Sequence, residues 1–529
     1  MTKREILIIL GLFLFSFSLY ALPVFLSCGF AGSGADSMIY TVFAGNILEN
    51  QVLHIQEVLN CKYDTFFFSP RYILNTPFGL VQHFPPGLSI YLAFTGLLIF
   101  NKIAYAVPLS GALCIILFYF LVKKHYGREH AFVAAILLIT MPGFWLWSVS
   151  TMPEIPSTLI LVSIIILIKN IGDSKSRFYH KSILLAILGG FWLWVRFQNI
   201  ILFPALTYYL IENTKKDRRI KGFFLISLIV FFFILGLLSY NNAYFGGFLT
   251  SGYEAYQKQA YPVRYDVEEG IGSWPELIPF NSKALIKFFF RLPLLAPFIL
   301  PTAAIAVLGL IHAIQKKDSL AIFTGLALIS FILFFGNYEW FYKAQANDFS
   351  TQTSILRRVM PVFALLSIYV YPVLRKLFNG RTLYLIVFLI MVLNVGVTLF
   401  QPVGSLRNLM DSNRVHKGIG DAILAETSSE DVILTAFFGK TIFPERDVYS
   451  YGKISKYYRV TEMLKVTEQL IDDGKTVFFL DDLDYIPGNK DFETTSSFLE
   501  KTVYVKINST GSKPVDQEIG FYRIEDVRV

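Results

Sequence analysis

The sequence predicts an all-α, polytopic membrane domain followed by a small α/β domain. Hydrophobic residues make up 54% of the 529 positions and charged residues only 16%, whereas a soluble domain carries about 25% charged residues. Apolar runs of about 20 residues, the length that spans a bilayer, recur from Ile6 to Phe400. After Gly404, polar and apolar residues mix as in a water-soluble fold. We therefore expect a membrane domain over residues 1–404, with its first external loop at 28–86, and a soluble domain over 405–529.

The basic residues indicate how the helices are oriented. The net charge is +8, but Lys and Arg are concentrated in short loops between apolar runs, as in the cytoplasmic loops of membrane proteins. The charge therefore predicts topology and gives no reason to expect nucleic-acid binding. The clusters placed in the cytoplasm are Lys123–Arg128, Lys169–Lys181, Lys215–Lys221, Lys316–Lys317 and Arg375–Arg381. The N-terminus is then cytoplasmic, and the C-terminal domain is extracytoplasmic.

With every basic cluster placed in the cytoplasm, the chain requires about 11 transmembrane helices. It is therefore expected to be a multi-pass protein of the cell membrane. The helices are expected at 6–27, 103–122, 131–149, 155–169, 181–195, 199–212, 221–240, 291–314, 319–336, 358–374 and 381–400. The run Pro86–Phe100 is the exception, because its roughly 15 residues are fewer than the roughly 17 needed to span. A crossing there would also break the alternation of basic and non-basic loops. We expect an interfacial or re-entrant helix instead.

The N-terminal segment resembles a signal peptide in having Lys3 and Arg4 before an apolar stretch. That stretch is longer than the roughly 7–15 apolar residues of a signal peptide, which favours an uncleaved first helix. Three cysteines are too few for a disulfide framework. Cys28 and Cys61 fall in the same predicted external loop and either pair or stay as free thiols, and Cys114 lies inside an apolar helix.

The ionisable residues near the bilayer are the first candidates for a functional site, because burying them there is costly. Those on the predicted outer side are Asp36, His83, Glu154, Arg196, Arg291, Arg357 and Arg358. Two acids and several arginines on a single side predict a site for a phosphate-bearing substrate and a proton acceptor. Structural roles are the alternative: a carboxylate at a helix start complements the helix dipole, and an interfacial arginine extends to lipid headgroups.

Five short motifs occur in a fixed order along residues 1–400. They are Asp36-Ser-Met-Ile-Tyr40, His83-Phe-Pro-Pro-Gly87, Met152-Pro-Glu154, the segment from Tyr240 through Tyr244-Phe-Gly246 to Gly252-Tyr253, and Arg357-Arg358-Val-Met-Pro361. Their order resembles that of the C-fold (GT-C) glycosyltransferases that use polyprenyl-phosphate sugars. Within that class the chain is similar to the family of protein O-mannosyltransferases and lipid A aminoarabinose transferases, glycosyltransferase family 39. The chain departs from the family pattern in three ways: Phe84 separates His83 from the prolines, Val359 replaces a tyrosine, and the first loop has no Asp-Glu pair.

The resemblance implies an integral membrane glycosyltransferase with an inverting mechanism. Asp36 would be the general base, and Glu154 would orient the acceptor or join Asp36 and His83 in binding a divalent metal. The substrate-binding residues would be His83, Arg196, Tyr244, Tyr253, Arg291, Arg357 and Arg358, with the arginines on the phosphate. The expected partners are a polyprenyl-phosphate-linked hexose or pentose, a lipid, glycan or protein acceptor, and membrane lipids. No cofactor other than the metal is implied.

A transporter or flippase for lipid-linked sugars is the alternative function. Transporters show internal repeats and paired broken helices, and their substrates bind near the bilayer midplane. The sequence shows no internal hydropathy repeat, and the candidate residues fall at the predicted outer interface. A non-catalytic scaffold gives no reason for acids and arginines at that level. These observations favour the enzyme.

The C-terminal segment shows signals for both helices and strands. Helices are expected at Arg407–Ala425 and at Thr461–Asp473, where Gly474 ends the second. Strands are expected at Asp431–Phe437, Thr476–Asp482, Thr502–Ile507 and Gly520–Ile524. The segment has no phosphate-binding loop or dinucleotide fingerprint, so we expect it to contact the acceptor or pack on the membrane domain. Asp481, Asp482 and Asp484 are expected to form a solvated strand end and not a metal site.

Overall fold

The computed structural model of the chain falls into two compact units. The described residues are 2–27, 29, 35–56, 59–62, 73–173, 178–260, 300–336, 357–401, 405–435, 439–450, 460–481, 499–508 and 518–527. The membrane unit comprises residues 1–26, 85–239 and 274–409. The loop-and-tail unit comprises residues 27–84, 240–273 and 410–529.

The described part of the chain is mainly helical. The α-helices are α1 Lys3–Leu26, α2 Ala35–Asn50, α3 Leu59–Lys62, α4 Gly87–Leu98, α5 Ala106–Tyr126, α6 Arg128–Thr140, α7 Pro142–Ser148, α8 Glu154–Asp173, α9 Phe178–Val195, α10 Phe203–Asn213, α11 Lys216–Phe245, α12 Gly252–Ala260, α13 Ala303–Gln315, α14 Ser319–Gly336, α15 Met360–Leu366, α16 Val370–Leu377, α17 Gly380–Phe400, α18 Leu406–Glu426, α19 Gly439–Ile442 and α20 Val460–Asp472. Four 3-10 helices lie at Ile103–Tyr105, Phe197–Leu202, Arg357–Val359 and Ser367–Tyr369.

Seven of the described helices are long and apolar enough to cross a membrane, and the bent pair α6 and α7 adds an eighth. The seven spans are Lys3–Leu26, Ile103–Tyr126, Glu154–Ile171, Phe178–Val195, Arg218–Phe245, Arg357–Leu377 and Gly380–Phe400. Three further apolar helices are shorter: Gly87–Leu98, Ala303–Gln315 and Ser319–Phe334. The chain is a multi-pass membrane protein with an all-α membrane part, as its sequence predicts.

The predicted helices agree with the structure in position. Eight of them coincide with the seven spans and the bent pair. Those predicted at 319–336 and in the described part of 291–314 coincide with α14 and α13, and the one at 199–212 is divided between a 3-10 helix and α10. The run Pro86–Phe100 forms α4, whose 12 residues extend about 18 Å, against about 30 Å for the hydrocarbon core. Which helices cross, and in which direction, stays a prediction.

Glycine and proline shape the chain between α5 and α8. Gly127 separates α5 from α6 at φ +91°, a conformation that residues with a Cβ rarely adopt. Pro142 begins α7, and the axes of α6 and α7 meet at 62°. Because proline has no N–H to continue the hydrogen bonding of α6, the bend falls there. Helix α7 consequently leads toward the start of α8.

Helices α5 and α8 lie in the buried interior of the membrane unit, as does the span Arg357–Leu377, which is 78% buried within the protein. The apolar spans of α5 and α8 are each 67% buried within the protein, whereas those of α1, α11 and α17 are only 17–22% buried. Tyr20 of α1 is fully buried and donates from its hydroxyl to the carbonyl of Ile139. Apolar side chains exposed on the outer helices suit contact with lipid tails, where exposure has no hydrophobic cost.

In the loop-and-tail unit, the first loop forms α2, the short α3 and a hairpin. Strands β1 Ile73–Thr76 and β2 Gly79–Gln82 are antiparallel. Gly79 has φ +114°, and a Cβ there would lie 2.4 Å from the carbonyl oxygen of Ile55. That position therefore requires glycine. Tyr256 of α12 packs with the hairpin residues Leu74 and Val81.

The tail carries a five-stranded mixed sheet. Its strands are β3 Val432–Thr435, β4 Asp447–Ser450, β5 Val477–Asp481, β6 Leu499–Asn508 and β7 Glu518–Val527, in the order β4-β3-β5-β7-β6. Strand β3 is parallel to β4 and β5, and β7 is antiparallel to β5 and β6. The α/β prediction and its four strands are confirmed. Strand β4 is not among the predicted strands, because only Val448 and Tyr449 of its four residues are apolar, whereas β3 is part of a longer apolar run.

The helix predictions in the tail are also confirmed. Helices α18 and α20 match the predicted helices to within one residue at each end. Gly474 follows α20 at φ +75° and donates its N–H to the carbonyl of Ile471, as expected of a glycine that ends a helix. Asp481 lies at the end of β5, while Asp482 and Asp484 lie outside the described residues.

Candidate active site

A buried charge cluster in the membrane unit consists of Glu154, Arg196 and Arg357. Arg196 Nη1 donates to Glu154 Oε1 at 3.1 Å, and Arg357 Nε lies 3.5 Å from the same oxygen. The side chain of Glu154 is 1% exposed, that of Arg196 9% and that of Arg357 14%. Charged groups are buried only when they are paired, so these contacts account for how the three side chains can lie inside the protein.

The local sequence explains the position of Glu154. Pro153 precedes it, and Glu154 begins α8, where the N-terminal end of the helix dipole favours a negative charge. Helix α9 is fixed against this first turn, because the indole of Trp192 donates to the backbone oxygen and hydroxyl of Ser157 at 2.9 and 2.7 Å. The turn that follows α9 then brings Arg196 to Glu154.

Asn199 holds that turn in place. Its amide nitrogen donates to the Trp192 carbonyl at 3.0 Å, and its amide oxygen accepts from the Ser157 hydroxyl at 3.2 Å. Arg196 adopts an extended conformation between α9 and the next 3-10 helix, and its Nε donates to Gln198. Both ends of the guanidinium are thus constrained. Such constraint is what a preorganised anion-binding group needs.

Arg357 reaches the cluster from a distant part of the sequence. Its guanidinium lies over the ring of Trp147, 5.6 Å from the centroid, within the range of a cation–π contact. Its Nη1 also lies 3.6 Å from the sulfur of Met152. Trp147 is on α7, so the bend at Pro142 directs this aromatic side chain under the arginine.

The cluster combines two permanent cations with a single carboxylate, and its three charges sum to +1. Among the described residues, no hydrogen-bond partner reaches the second carboxylate oxygen, Glu154 Oε2, although it is buried. A buried acceptor without a donor is costly. The arrangement therefore offers guanidinium groups to an anion and a carboxylate oxygen to a hydroxyl.

A second group of predicted residues meets in the loop-and-tail unit around His83. The imidazole is 3% exposed and packs edge-to-face on Tyr253 at 4.9 Å and against Tyr256 at 5.2 Å. Phe84 stacks on Tyr40 at 4.9 Å and packs on Tyr253 at 5.6 Å. We call these five side chains the aromatic wall. Phe84, the residue that departs from the family pattern, thus brings side chains from three of the five motifs into contact.

A close backbone contact fixes the aromatic wall. A Cβ on Gly252 would lie 2.2 Å from the carbonyl oxygen of His83, so glycine lets α12 start directly against the His83 backbone. Tyr244 lies beside the wall, with its ring 5.5 Å from Phe78 and packed on the core that includes Tyr256. His83, Tyr244 and Tyr253, which are far apart in sequence, are therefore brought together.

The other predicted residues are less closely associated. Asp36 is half-buried in the first turn of α2, in the loop-and-tail unit. Arg358 is half-buried beside Arg357, but Arg357 is the residue that approaches Glu154. Arg291 and the side chains of Cys28 and Cys61 lie outside the described residues. Cys114 is fully buried in α5 as a free thiol.

Metal binding was an alternative for Asp36, His83 and Glu154. Among the residues that the structure describes, no three His, Cys, Asp or Glu side chains group as metal ligands would. The divalent metal stays a possibility raised by the resemblance alone.

The residues that support the cluster are not marked as functional by the sequence. Trp147, Ser157, Trp192 and Asn199 carry no charge, and single aromatic or amide residues are common in membrane helices. The one available signal is spacing, since Trp192 and Asn199 flank Arg196 within about one helical turn on each side.

Comparison with known proteins decides the fold. Residues 85–240 match the family model described as dolichyl-phosphate-mannose-protein mannosyltransferase. ArnT from Cupriavidus metallidurans in the apo state is 13% identical, with 97% of this chain and 98% of that chain covered and a TM-score of 0.56. The same protein bound to undecaprenyl phosphate is 11% identical, with 99% and 98% covered and a TM-score of 0.58. The chain has the GT-C fold. The fold that the resemblance implied is therefore confirmed.

A third GT-C structure agrees. AglB, the oligosaccharyltransferase of Archaeoglobus fulgidus, in complex with an inhibitory peptide and a dolichol-phosphate, is 12% identical, with 98% of this chain and 74% of that chain covered and a TM-score of 0.51. No curated protein sequence matches the chain. The family match includes Glu154 and Arg196 and ends before Tyr244 and Arg357. The cluster thus joins residues from inside and outside the matched segment.

Proposed function

We propose that this GT-C protein is a membrane glycosyltransferase that moves a hexose or pentose from a polyprenyl-phosphate donor to a lipid, glycan or protein acceptor. The observation that carries the proposal is the charge cluster. Two guanidinium groups held around a buried carboxylate suit the phosphate of a lipid carrier, because arginine makes paired, charge-assisted hydrogen bonds to phosphate oxygens. The structures of ArnT with undecaprenyl phosphate and of AglB with dolichol-phosphate support this donor class.

The proposed reaction is an inverting displacement on the extracytoplasmic face. Asp36 removes the proton from the acceptor hydroxyl or amine while that atom attacks the anomeric carbon. The bond from the anomeric carbon to the phosphate oxygen breaks, and polyprenyl phosphate leaves with the bonding electrons. Attack opposite the leaving group inverts the anomeric centre. A positioned base of this kind contributes about 10²–10⁴ in rate.

The cluster would stabilise the leaving group. Negative charge grows on the phosphate as the bond breaks, and arginines already held in position need no reorganisation to meet it. The unpartnered Oε2 of Glu154 would accept a hydrogen bond from a hydroxyl of the sugar or the acceptor. His83, Tyr244 and Tyr253 would supply a surface for the sugar or acceptor, because aromatic faces combine apolar area with a polar edge.

The test is single-turnover transfer by membranes that carry the full-length protein. A labelled polyprenyl-phosphate sugar is supplied, and loss of label from the carrier is followed beside equilibrium binding of the donor. Asp36→Asn should slow transfer by about 10²-fold or more while donor binding persists.

Glu49→Gln is the matched control, since Glu49 is an exposed acid on the same helix, α2. Transfer by Asp36→Asn at the unmodified rate would remove Asp36 from the role of base and leave Glu154 as the candidate. Movement of intact labelled donor across the membrane without transfer would instead support a flippase.

A further inference from the structure

Three buried side chains next to the charge cluster form a closed ring of hydrogen bonds. Trp192 Nε1 donates to the Ser157 hydroxyl at 2.7 Å, and that hydroxyl donates to Asn199 Oδ1 at 3.2 Å. Asn199 Nδ2 donates back to the Trp192 carbonyl at 3.0 Å. Trp192 and Ser157 are fully buried, and Asn199 is 2% exposed. We call these three side chains the Asn199 ring.

The Asn199 ring is built as a unit. Ser157 uses its single hydroxyl hydrogen on Asn199 while it accepts from Trp192. Loss of either the hydroxyl or the amide therefore leaves a buried polar group without a bond that it makes in the intact ring, which is costly away from water.

The ring is joined directly to the backbone of Arg196. The Trp192 carbonyl accepts from the Arg196 N–H at 3.1 Å as well as from the Asn199 side chain, and the Asn199 N–H donates to the Arg196 carbonyl at 3.0 Å. Arg196 itself is extended, with φ −158° and ψ 108°, so the chain leaves the helical conformation at this residue. Ser157 lies three residues after Glu154 on α8. The ring thus ties the backbone of Arg196 to the helical turn that carries Glu154.

We infer that Asn199 is a positioning residue for the lipid-phosphate donor and that it acts through Arg196. This inference rests on the proposed function, in which Arg196 binds the phosphate. Without the ring, the Arg196 backbone is less constrained, and its side chain has to be ordered when the donor binds. Ordering a long side chain on binding reduces affinity, whereas a side chain that is already held in place avoids that cost.

The test is equilibrium binding of labelled undecaprenyl phosphate to the purified full-length protein. Asn199→Ala should weaken binding by about tenfold. Ser157→Ala keeps the Ser157 backbone oxygen for Trp192 and removes only the hydroxyl, so it gives a second measurement if Asn199→Ala does not fold, and it should weaken binding in the same direction. Ser163→Ala is the matched control, because the Ser163 hydroxyl donates to Leu159 within α8, and it should leave binding unchanged.

A positioning role is separated from a structural one by repeating these changes in an Arg196→Gln background. Arg196→Gln should itself weaken binding, and Asn199→Ala or Ser157→Ala should then cause no further loss, because the residue through which they act is gone. A further loss of the same size would overturn the inference and make the ring a purely structural feature. Unchanged binding in both ring variants, with Arg196→Gln impaired, would overturn the inference alone. Unchanged binding in Arg196→Gln would instead remove Arg196 from the proposed phosphate site and the inference with it.

Discussion

Glu154 is the residue on which the arrangement of the charge cluster depends. Its Oε1 is the shared contact of Arg196 and Arg357, and it begins the helix whose dipole favours a carboxylate. Without that negative charge, the two guanidinium groups would lie close together and repel each other more strongly. Glu154 therefore holds the two arginines in position through Oε1. This role is separate from any hydrogen bond that Oε2 accepts in the reaction.

Replacing this carboxylate should destabilise the protein. Glu154→Gln removes the negative partner of a buried pair, which costs up to about 3–5 kcal/mol. The apparent melting temperature of the purified protein should fall clearly. Asp421→Asn is the control, because Asp421 pairs with Lys417 on an exposed helix face, where such pairs contribute about 0.5 kcal/mol or less. Equal shifts in the two variants would mean that the buried cluster does not stabilise the fold.

Arg357 and Arg358 are adjacent but should behave differently. Arg357 lies 3.5 Å from a carboxylate oxygen of Glu154 and over the ring of Trp147, which places it in the charge cluster. Arg357→Ala should weaken binding of the lipid-phosphate donor by about tenfold or more, because a charge-assisted contact is lost. Arg357→Lys should not restore binding, since lysine lacks the planar fork.

Arg358→Ala is the matched control for the donor-binding measurement. It removes the same charge one residue away and should have the smaller effect. If Arg358→Ala weakens binding more than Arg357→Ala, the phosphate contact belongs to Arg358 and not to the charge cluster.

At the level of elements, close backbone contact decides how α4 packs. A Cβ on Gly87 would lie 2.2 Å from the backbone of Trp194, so α4 and α9 touch where only glycine fits. The sequence motif around His83 includes this glycine, but its packing role appears only when α9 is placed beside α4.

Gly87→Ala should therefore force α4 away from α9 and lower the free energy of unfolding by about 1–3 kcal/mol. Gly396→Ala is the control, because nothing lies within 4 Å of its added Cβ and alanine favours a helix. Thermal unfolding monitored by tryptophan fluorescence compares the two. A neutral Gly87→Ala would show that the α4–α9 contact is looser than this geometry.

Elements differed in how well the sequence predicted them. Helices such as α18 and α20 match because local signals, including Gly474, start and stop them. Strand β4 has no comparable local signal and exists because β3 pairs with it. The division near 199–212 into a 3-10 helix and α10 likewise depends on Asn199, whose partners lie on other helices.

At the scale of the whole molecule, the charge pattern makes a testable prediction about the orientation in the membrane. The basic clusters predict that accessible tags at Ser251 and at the C-terminus lie outside and that a tag at Asp217 lies inside. Reactivity of each tag toward a membrane-impermeant reagent in intact cells tests this. A cytoplasmic C-terminus would show that the Pro86–Phe100 run spans the membrane and that the topology inferred from the alternation of basic and non-basic loops is wrong.

The sequence by itself determined the membrane part, the mixed tail and the order of the candidate motifs. It could do so because a transmembrane helix satisfies its own backbone hydrogen bonds, so that its presence depends on a local apolar run. The tertiary structure decided which of those residues meet. That Glu154 contacts Arg196 and Arg357, and that His83 lies against Tyr253, depends on helix packing between segments far apart in the chain. Such contacts are set by side-chain direction and close approach, which hydropathy and motif spacing do not encode.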